Sequence, residues 1–226
     1  MKLIITGARG FVGGEVLRQS LQNEKITSIV ALLRKRLPQD DPKVKQMLMK
    51  DEDWLSYPET VTKELRGAEG CVWCIGVKPN DNAPSELLHR VSIDYQQAAA
   101  DAFASAAAAS GVKMRFVYVS GGLVERDQSK SLWFTEELRK VRGRSETILV
   151  EAAEKHPDQL QVAFARIGAV YKRENSLASL LAYSKLHIGV DELAASLIEL
   201  ALHGSEKQIW WNGELARKGQ ALLKAR

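Results

Sequence analysis

The stretch Lys2–Gly13, KLIITGARGFVG, decides the fold of this chain. It opens with a short apolar run typical of a buried strand and continues into Gly7, Gly10 and Gly13, spaced as GxxGxxG. From Phe11 onward the apolar residues recur at helical spacing. Glycine lets the backbone approach a pyrophosphate, and a helix N-terminus attracts negative charge, so this order predicts a phosphate-binding turn. The alternative is a tight turn that binds no ligand.

Beyond this stretch, apolar runs of strand length alternate with segments of helical periodicity. Strands are predicted at Thr27–Leu33, Cys71–Ile75, Arg115–Ser120 and Gln161–Ile167, and helices at Ser85–Ser110, Phe134–Lys155 and Asp191–Leu202. Strands that are apolar throughout indicate a sheet covered on both faces, and their alternation with helices indicates parallel pairing. The sequence therefore predicts an α/β fold, a doubly wound parallel sheet, in a single domain over residues 1–226.

Some segments have weaker patterns. Val44–Lys50 is expected to form a short helix, Ser176–Ser184 a further helix, and Gln208–Trp211 a short strand. The charged run Glu125–Asp127 favours a solvated loop after the strand that ends at Ser120, and the alternative is a segment that borders the cleft.

Composition limits the class of protein. The chain has 226 residues, a net charge of +4, 45% hydrophobic and 27% charged residues, which is too apolar for a disordered chain. No apolar run approaches the roughly 18–20 residues that span a bilayer, and no signal-peptide region is recognisable. The low cysteine count, together with the lack of a recognisable membrane-spanning or signal-peptide segment, favours a cytoplasmic protein. The mild positive charge suits an anionic small molecule, so we expect a small-molecule partner, with no nucleic acid and no membrane.

The end of the second predicted strand indicates which dinucleotide the turn would bind. NAD sites place an acidic residue about 20 residues after the glycines, where it bonds the ribose 2′-hydroxyl. Here the position carries Arg34, followed by Lys35 and Arg36, and no carboxylate. A guanidinium pairs with a 2′-phosphate, which a carboxylate would repel. NADP(H) is therefore the predicted cofactor, and the alternative is a solvated basic turn.

Four motifs together resemble a known family. They are TGARGFVG after the first strand, ALLR ending at Arg34, CVWCIG ending at Gly76 and RFVYVSGG ending at Gly122. In these motifs the chain is similar to the atypical, NmrA-like short-chain dehydrogenase/reductases. The resemblance implies a Rossmann domain whose C-terminal part, at about residues 169–226, covers the substrate.

The resemblance also implies which residues hold the cofactor. The glycines and the start of the first helix would line the pyrophosphate, two arginines would flank the 2′-phosphate, and the other residues would border the adenine, the riboses and the nicotinamide. These residues are Gly7, Arg9, Gly10, Phe11, Val12, Gly13, Arg34, Asp53, Trp54, Ile75, Gly76, Arg142 and Gly168. Ile167 stands where the family's arginine-proline-glycine turn has its proline.

The implied catalytic residues depart from the family pattern. Ser120 ends a strand where the family keeps its catalytic serine. In place of the family's Tyr-x-x-x-Lys, the following helix carries Leu138 and Arg142, and leucine cannot transfer a proton. Arg142 would still hold the ribose hydroxyls by hydrogen bonds. Tyr171 is the predicted proton donor, because loops at the carboxyl ends of strands line the cleft, and the alternative is a packing tyrosine. Tyr95 and Tyr183 are weaker candidates.

These observations predict an NADP(H)-dependent oxidoreductase that reduces a small carbonyl, enone or imine. The missing tyrosine keeps two alternatives open: a non-redox isomerase, cyclase or epimerase on the same fold, and a non-catalytic NADP(H) sensor. The four histidines have no ligand spacing, so no metal site is predicted. The aromatic pairs Trp133-Phe134 and Trp210-Trp211 would wall a substrate pocket or a homodimer face.

Overall fold

A parallel sheet runs through the centre of the protein. The computed structural model describes residues 1–77, 83–172 and 187–225. The described strands are β1 (Lys2–Thr6), β2 (Ser28–Leu33), β3 (Val44–Leu48), β4 (Gly70–Trp73), β5 (Met114–Gly121), β6 (Leu160–Ile167), β7 (Ala169–Tyr171), β8 (His187–Gly189) and β9 (Ile209–Trp211). Seven of them pair in the order β3-β2-β1-β4-β5-β6-β9, all in parallel, while β7 pairs with β8 in a separate two-stranded sheet. The predicted doubly wound parallel sheet is confirmed.

Helices cover the sheet and connect its strands. They are α1 (Phe11–Gln22), α2 (Glu59–Leu65), α3 (Ser85–His89), α4 (Tyr95–Ser110), α5 (Glu136–Lys155), α6 (Val190–His203) and α7 (Asn212–Lys224). A 3₁₀ turn (Glu52–Trp54) precedes α2, and a π-helical segment (Arg90–Asp94) joins α3 to α4. The strand order reverses between β1 and β4, which is where ligands bind in sheets of this type.

The two faces of the sheet carry separate apolar cores. Along β1, Ile4 packs into one core, with residues of α2, α4 and α5, whereas Leu3 and Ile5 pack into the other, with residues of α1 and α6. Successive side chains of a strand point to opposite faces, so an apolar run is buried on both sides. The continuous apolar strands of the sequence are explained by these two cores.

One predicted helix is wrong. The segment Val44–Lys50 forms strand β3 instead, which pairs with β2 from Ile29↔Val44 to Leu33↔Leu48. It lies at the edge of the sheet, and its side chains are half-buried or exposed. Hydrogen bonds to the neighbouring strand therefore determine its conformation, and a short sequence window carries no information about that neighbour.

The other helix and strand predictions hold with small changes of boundary. The predicted helix Ser85–Ser110 contains the π-helical segment, and it ends at Gly111, which has a φ of +65° as a left-handed C-cap requires. The weak strand near Gln208 is confirmed as β9, which extends the main sheet beyond β6. The predicted helix Ser176–Ser184 lies outside the described residues. In the described part of the chain no helix is both long and apolar enough to cross a membrane.

Candidate functional site

A large cleft opens at the carboxyl ends of the central strands. It has a volume of about 2740 Å³ and extends from the Gly7–Gly13 turn, past the ends of β4 and β5, to β7 and the start of α7. Pockets for one drug-sized ligand usually measure roughly 300–1,000 Å³. The cleft therefore has room for a dinucleotide together with a second small molecule.

The glycine turn at one end of the cleft forms a close backbone cradle. Gly7 has a φ of +67°, and a Cβ on it would lie 2.8 Å from the carbonyl oxygen of Cys74. A Cβ on Gly13 would overlap the carbonyl oxygen of Gly7. The N-cap residue Gly10 has no side chain to cap α1, and the first turn of α1 has no acidic residue. The first N–H groups of an α-helix have no partner within the helix, and the start of α1 at Phe11 and Val12 lines the cleft, which suits a phosphate group.

Cations border this end of the cleft. Arg9, Arg34 and Lys35 are exposed and line it, whereas Arg36 does not. Among the residues described, none of these three cations has a carboxylate within ion-pair distance. The predicted placement of Arg9 and Arg34 beside the glycine turn agrees with this geometry, and their contact with a 2′-phosphate stays a prediction.

Of the four residues predicted to border the adenosine, three line the cleft and one does not. Trp54, Ile75 and Gly76 line the cleft, and Trp54 stacks on Tyr95 with ring centroids 5.8 Å apart. Asp53 is not among the lining residues; its carboxylate Oδ2 accepts a 2.7 Å hydrogen bond from the N–H of Lys50, which precedes the 3₁₀ turn. The predicted contact of Asp53 with adenine is not seen in the geometry and stays a prediction.

A buried carboxylate organises the floor of the cleft beneath Ser120. The Ser120 hydroxyl donates a 2.6 Å hydrogen bond to Oε1 of Glu146, which is fully buried. Arg166 binds the same carboxylate through Nε, at 3.0 Å to Oε1, and through Nη2, at 2.6 Å to Oε2. Arg126 adds a third donor, with its Nε 2.8 Å from Oε2. Two guanidiniums and one carboxylate leave this cluster one positive charge.

Sequence patterns did not predict this cluster. Arg126 was expected in a solvated loop, but it is half-buried, and its guanidinium lies 5.0 Å from the centre of the Phe164 ring. Glu146 was not singled out at all. One sequence feature could have identified Glu146: it is an acidic residue four positions after Arg142, on the face of α5 that also contains Leu149 and packs against the sheet. A charge on a buried helix face requires a partner, which only the folded chain identifies.

The cleft face of α5 carries Leu138 and Arg142 at the expected tyrosine and lysine positions. Both residues line the cleft, as a spacing of four on a helix allows. Arg142 is held against the ends of two strands: its Nη2 donates to the carbonyl oxygen of Val77 at 2.9 Å, and a Cβ on Gly121 would lie 2.7 Å from its Nη1. Leu138 therefore stands at the cleft with no group that can exchange a proton.

Tyr171 and Gly168 lie at the far side of the cleft. Tyr171 is half-buried at the end of β7 and lines the cleft, as predicted. The N–H of Gly168 donates to Oδ1 of Asn212 at 3.0 Å, and Nδ2 of Asn212 donates to the carbonyl oxygen of His187 at 2.9 Å. The first residue of α7 thus ties the end of β6 to the start of β8. Tyr183 lies outside the described residues.

Large apolar side chains also line the cleft. Leu87, Leu123 and Trp211 are large and exposed, and they line the cleft together with Phe134 and Leu138. Of the aromatic pairs weighed from the sequence, Phe134 and Trp211 belong to the cleft, whereas Trp133 is 90% exposed and is not among its lining residues.

Comparison with known protein sequences gives a partial match. No family model matches the chain. A curated protein from Purpureocillium lilacinum, leucinostatins biosynthesis cluster protein T, is 35% identical over 120 residues. This match covers 53% of the chain and 42% of that protein, so it spans less than half the length of the relative.

Solved structures of low sequence identity show which fold this chain has. A short chain dehydrogenase from Burkholderia cenocepacia in complex with NADP superimposes with a TM-score of 0.72 at 17% identity, over 99% of this chain and 92% of that one. Yeast methylglyoxal/isovaleraldehyde reductase Gre2 with NADPH gives 0.69 at 13% identity, over 93% and 76%. UDP-N-acetylglucosamine 4-epimerase from Bacillus cereus gives 0.64 at 18% identity, over 96% and 82%. The chain therefore has the Rossmann fold shared by short-chain dehydrogenases, reductases and related epimerases, as its sequence motifs implied.

Proposed function

We propose that this chain is an NADP(H)-dependent reductase of the short-chain dehydrogenase/reductase type, acting on a small carbonyl, enone or imine. One observation carries the proposal: a single cleft joins the glycine cradle, bordered by Arg9 and Arg34, to the residues Ser120 and Tyr171. Solved proteins of the same fold bind NAD or NADP and include reductases. A relative from a leucinostatins biosynthesis cluster accords with an enzyme that acts on a biosynthetic small molecule.

The residues of the cradle fit a dinucleotide. Gly7, Gly10 and Gly13 would hold the pyrophosphate against the start of α1, because their backbone is open to the cleft and a side chain on Gly13 would overlap Gly7. Arg34, together with Arg9, would hold a 2′-phosphate. When bound in the reduced form, NADPH supplies a hydride to the electrophilic carbon of the substrate.

The chain's own residues position the substrate and provide the proton. Ser120 would hydrogen-bond the substrate oxygen or nitrogen as negative charge develops on it, which requires its hydroxyl to turn away from Glu146. Tyr171, or water, would then deliver a proton to that atom, so that a carbonyl becomes an alcohol. Arg142 would hold the ribose hydroxyls near Leu138. With no tyrosine at position 138, we expect slow turnover, since a positioned general acid contributes typically 10²–10⁴-fold.

A second candidate function is NADP(H) binding without turnover. The observation that favours it is the Ser120 hydroxyl, whose only proton is donated to Glu146 in the structure, next to a leucine at the tyrosine position. Such a protein would bind oxidised and reduced cofactor and signal the difference. A non-redox isomerase would instead convert its substrate with no change in the absorbance of the cofactor.

Calorimetric titration of purified protein with NADPH, NADP⁺, NADH and NAD⁺ tests the cofactor. We expect the phosphorylated pair to bind at least about tenfold more tightly, because the Arg34 guanidinium pairs with a phosphate. Arg34→Ala should remove this preference. Arg36→Ala is the matched control, since Arg36 lies in the same turn but does not line the cleft. Absence of binding by all four nucleotides would contradict the proposal.

A substrate screen then separates the two candidates. A reductase consumes one NADPH for each product formed, and Ser120→Ala should lower its turnover about 10²-fold. If no substrate in a broad panel of carbonyls, enones and imines is turned over while NADP(H) binds, the second candidate is correct. Unchanged turnover in Ser120→Ala would refute the role given to that residue.

A further inference from the structure

We propose that the small molecule bound in the cleft carries a carboxylate, which Arg139 and Arg142 of α5 hold, on an apolar body that packs against the adjoining wall. The inference rests on the proposed function, since it assigns a substrate class to that same cleft.

The two arginines face the cleft with most of their donors unused. They lie three residues apart on α5, on the same side of the helix, and both line the cleft. Arg139 donates through Nε to the carbonyl oxygen of Leu123 at 2.6 Å, and Arg142 donates through Nη2 to that of Val77 at 2.9 Å. Each guanidinium has five N–H donors. Backbone contacts thus orient both side chains and leave N–H groups for a ligand.

Neither arginine has a counterion in the described part of the chain. Their neighbours do: Arg144 on the same helix pairs with Glu151 at 3.1 Å, and Arg166 pairs with Glu146 at 2.6 Å. Arg139 and Arg142 are half-buried, so water compensates their charge incompletely. A carboxylate between them would make charge-assisted and bidentate hydrogen bonds, which are the strongest that a guanidinium forms.

The position of the pair separates it from the phosphate-binding end of the cleft. Arg142 lies against Gly121 at the end of β5, and β5 lies two strands away from β1, whose end forms the glycine turn. Neighbouring strands are about 4.8 Å apart, so the two strand ends are separated by roughly 10 Å. Arg9, Arg34 and Lys35 already supply cations at the glycine turn. The pair on α5 is therefore available to a second anionic group. With the cofactor bound, Arg142 would divide its remaining N–H donors between the ribose hydroxyls and this group, whereas Arg139 would donate to this group alone.

Apolar side chains beside the pair indicate the rest of the ligand. Leu87 is 45% exposed and Leu123 is 57% exposed, although both line the cleft. Phe134 lies under the guanidinium of Arg139, 4.9 Å from ring centre to the guanidinium carbon. Exposed apolar groups next to two cations fit an acid with an aliphatic or aromatic body, and they do not fit a sugar or a small polar acid.

Titration calorimetry on protein without nucleotide tests the proposal directly. The probes are hexanoate and 4-oxo-4-phenylbutanoate, each compared with its neutral primary amide. We expect at least one acid to bind about tenfold or more tightly than its amide, and the double variant Arg139→Gln/Arg142→Gln to reduce that preference to within about twofold. Arg144→Gln is the matched control on the same helix and should leave the preference unchanged. Circular dichroism confirms that each variant is folded.

The outcomes distinguish this inference from the proposed function. Equal binding of acids and amides, or an acid preference that survives in the double variant, would overturn the carboxylate site even if NADPH binds. Preferential binding of an acid that is lost in the double variant and kept in Arg144→Gln would support the site even if no nucleotide binds, in which case the reductase proposal alone would fail. If the double variant is unfolded, the single variant Arg139→Gln, which alters the more peripheral arginine, provides the same comparison.

Discussion

The Ser120 hydroxyl and the Glu146 carboxylate are joined by a 2.6 Å hydrogen bond at the base of the cleft, and Glu146 is fully buried. The same carboxylate forms ion pairs with both Arg166 and Arg126, so the cluster keeps one positive charge. One side chain thus orients the Ser120 hydroxyl and is the ion-pair partner of two arginines around it. Its loss should affect both the stability of the fold and the direction of the serine hydroxyl.

Glu146→Gln should lower the free energy of unfolding by about 3 kcal/mol, because removing one partner of a buried ion pair leaves charge uncompensated. Urea unfolding monitored by circular dichroism measures the change. Glu151→Gln is the matched control on α5, since Glu151 pairs with Arg144 at the exposed surface, and it should cost less than about 1 kcal/mol. Equal effects of the two variants would contradict the structural role of Glu146.

Gly13→Ala should abolish dinucleotide binding and destabilise the protein by about 1–3 kcal/mol, because its Cβ would overlap the carbonyl oxygen of Gly7 and force the cradle open. Gly14→Ala tests the same helix one residue later, where a Cβ would lie 3.4 Å from the nearest atom, the carbonyl oxygen of Ala8. This control should bind NADPH normally and melt at the same or a higher temperature, since alanine favours helix. Thermal melts and NADPH titrations compare the two variants, and intact binding in Gly13→Ala would argue against the cradle.

Leu138→Tyr should raise kcat for carbonyl reduction at least about tenfold, because it places a proton donor on the face of α5 that lines the cleft, four residues before Arg142. Leu138→Phe fills the same space without a hydroxyl and should leave kcat near that of the native chain. Steady-state NADPH oxidation with a substrate found in the screen measures both. A gain in the phenylalanine variant equal to that in the tyrosine variant would show that packing, and not proton transfer, is responsible.

The thiols should make the protein less stable at high pH. Burial raises the pKa of Cys74 to about 12 and raises that of Cys71 well above its ordinary value of 9.0. As the pH rises, the folded protein keeps these two protons while the unfolded chain loses them. The contribution of the thiols to the free energy of unfolding is therefore fully present below about pH 9 and falls as the pH rises toward 12. Urea unfolding at pH 7.5 and pH 10.5 measures the loss, and Cys74→Ala should reduce it.

The same pKa values predict slow alkylation. Because the pKa of Cys74 is raised to about 12, very few of these side chains are thiolates at pH 8, so iodoacetamide should label the native protein far more slowly than the protein in urea, although Cys74 lines the cleft. Rapid labelling of native Cys74 at pH 8 would show that its thiol is not held in an apolar environment.

Local sequence patterns were sufficient where the structure depends on the backbone of neighbouring residues. The glycine spacing in Lys2–Gly13 identified the cradle, because only glycine permits the close approach of Gly13 to Gly7. Helical spacing placed Leu138 and Arg142 on one face, and both line the cleft. The same reasoning failed at Val44–Lys50, where pairing with β2 outweighs local preference. It also did not predict that the Asp53 carboxylate accepts a hydrogen bond from the N–H of Lys50 and does not line the cleft.

The sequence alone thus predicted the parallel α/β fold, the close glycine turn after the first strand and the absence of a tyrosine at position 138, since each follows from residues close together in the chain. Only the tertiary structure decided which polar side chains meet. Ser120, Glu146 and Arg166 are separated by 20 or more residues, yet they share one buried hydrogen-bonded cluster. A buried charge is stable only when its partner lies beside it. The packing of α5 against the sheet determines which residue becomes that partner, and a local sequence pattern carries no information about this packing.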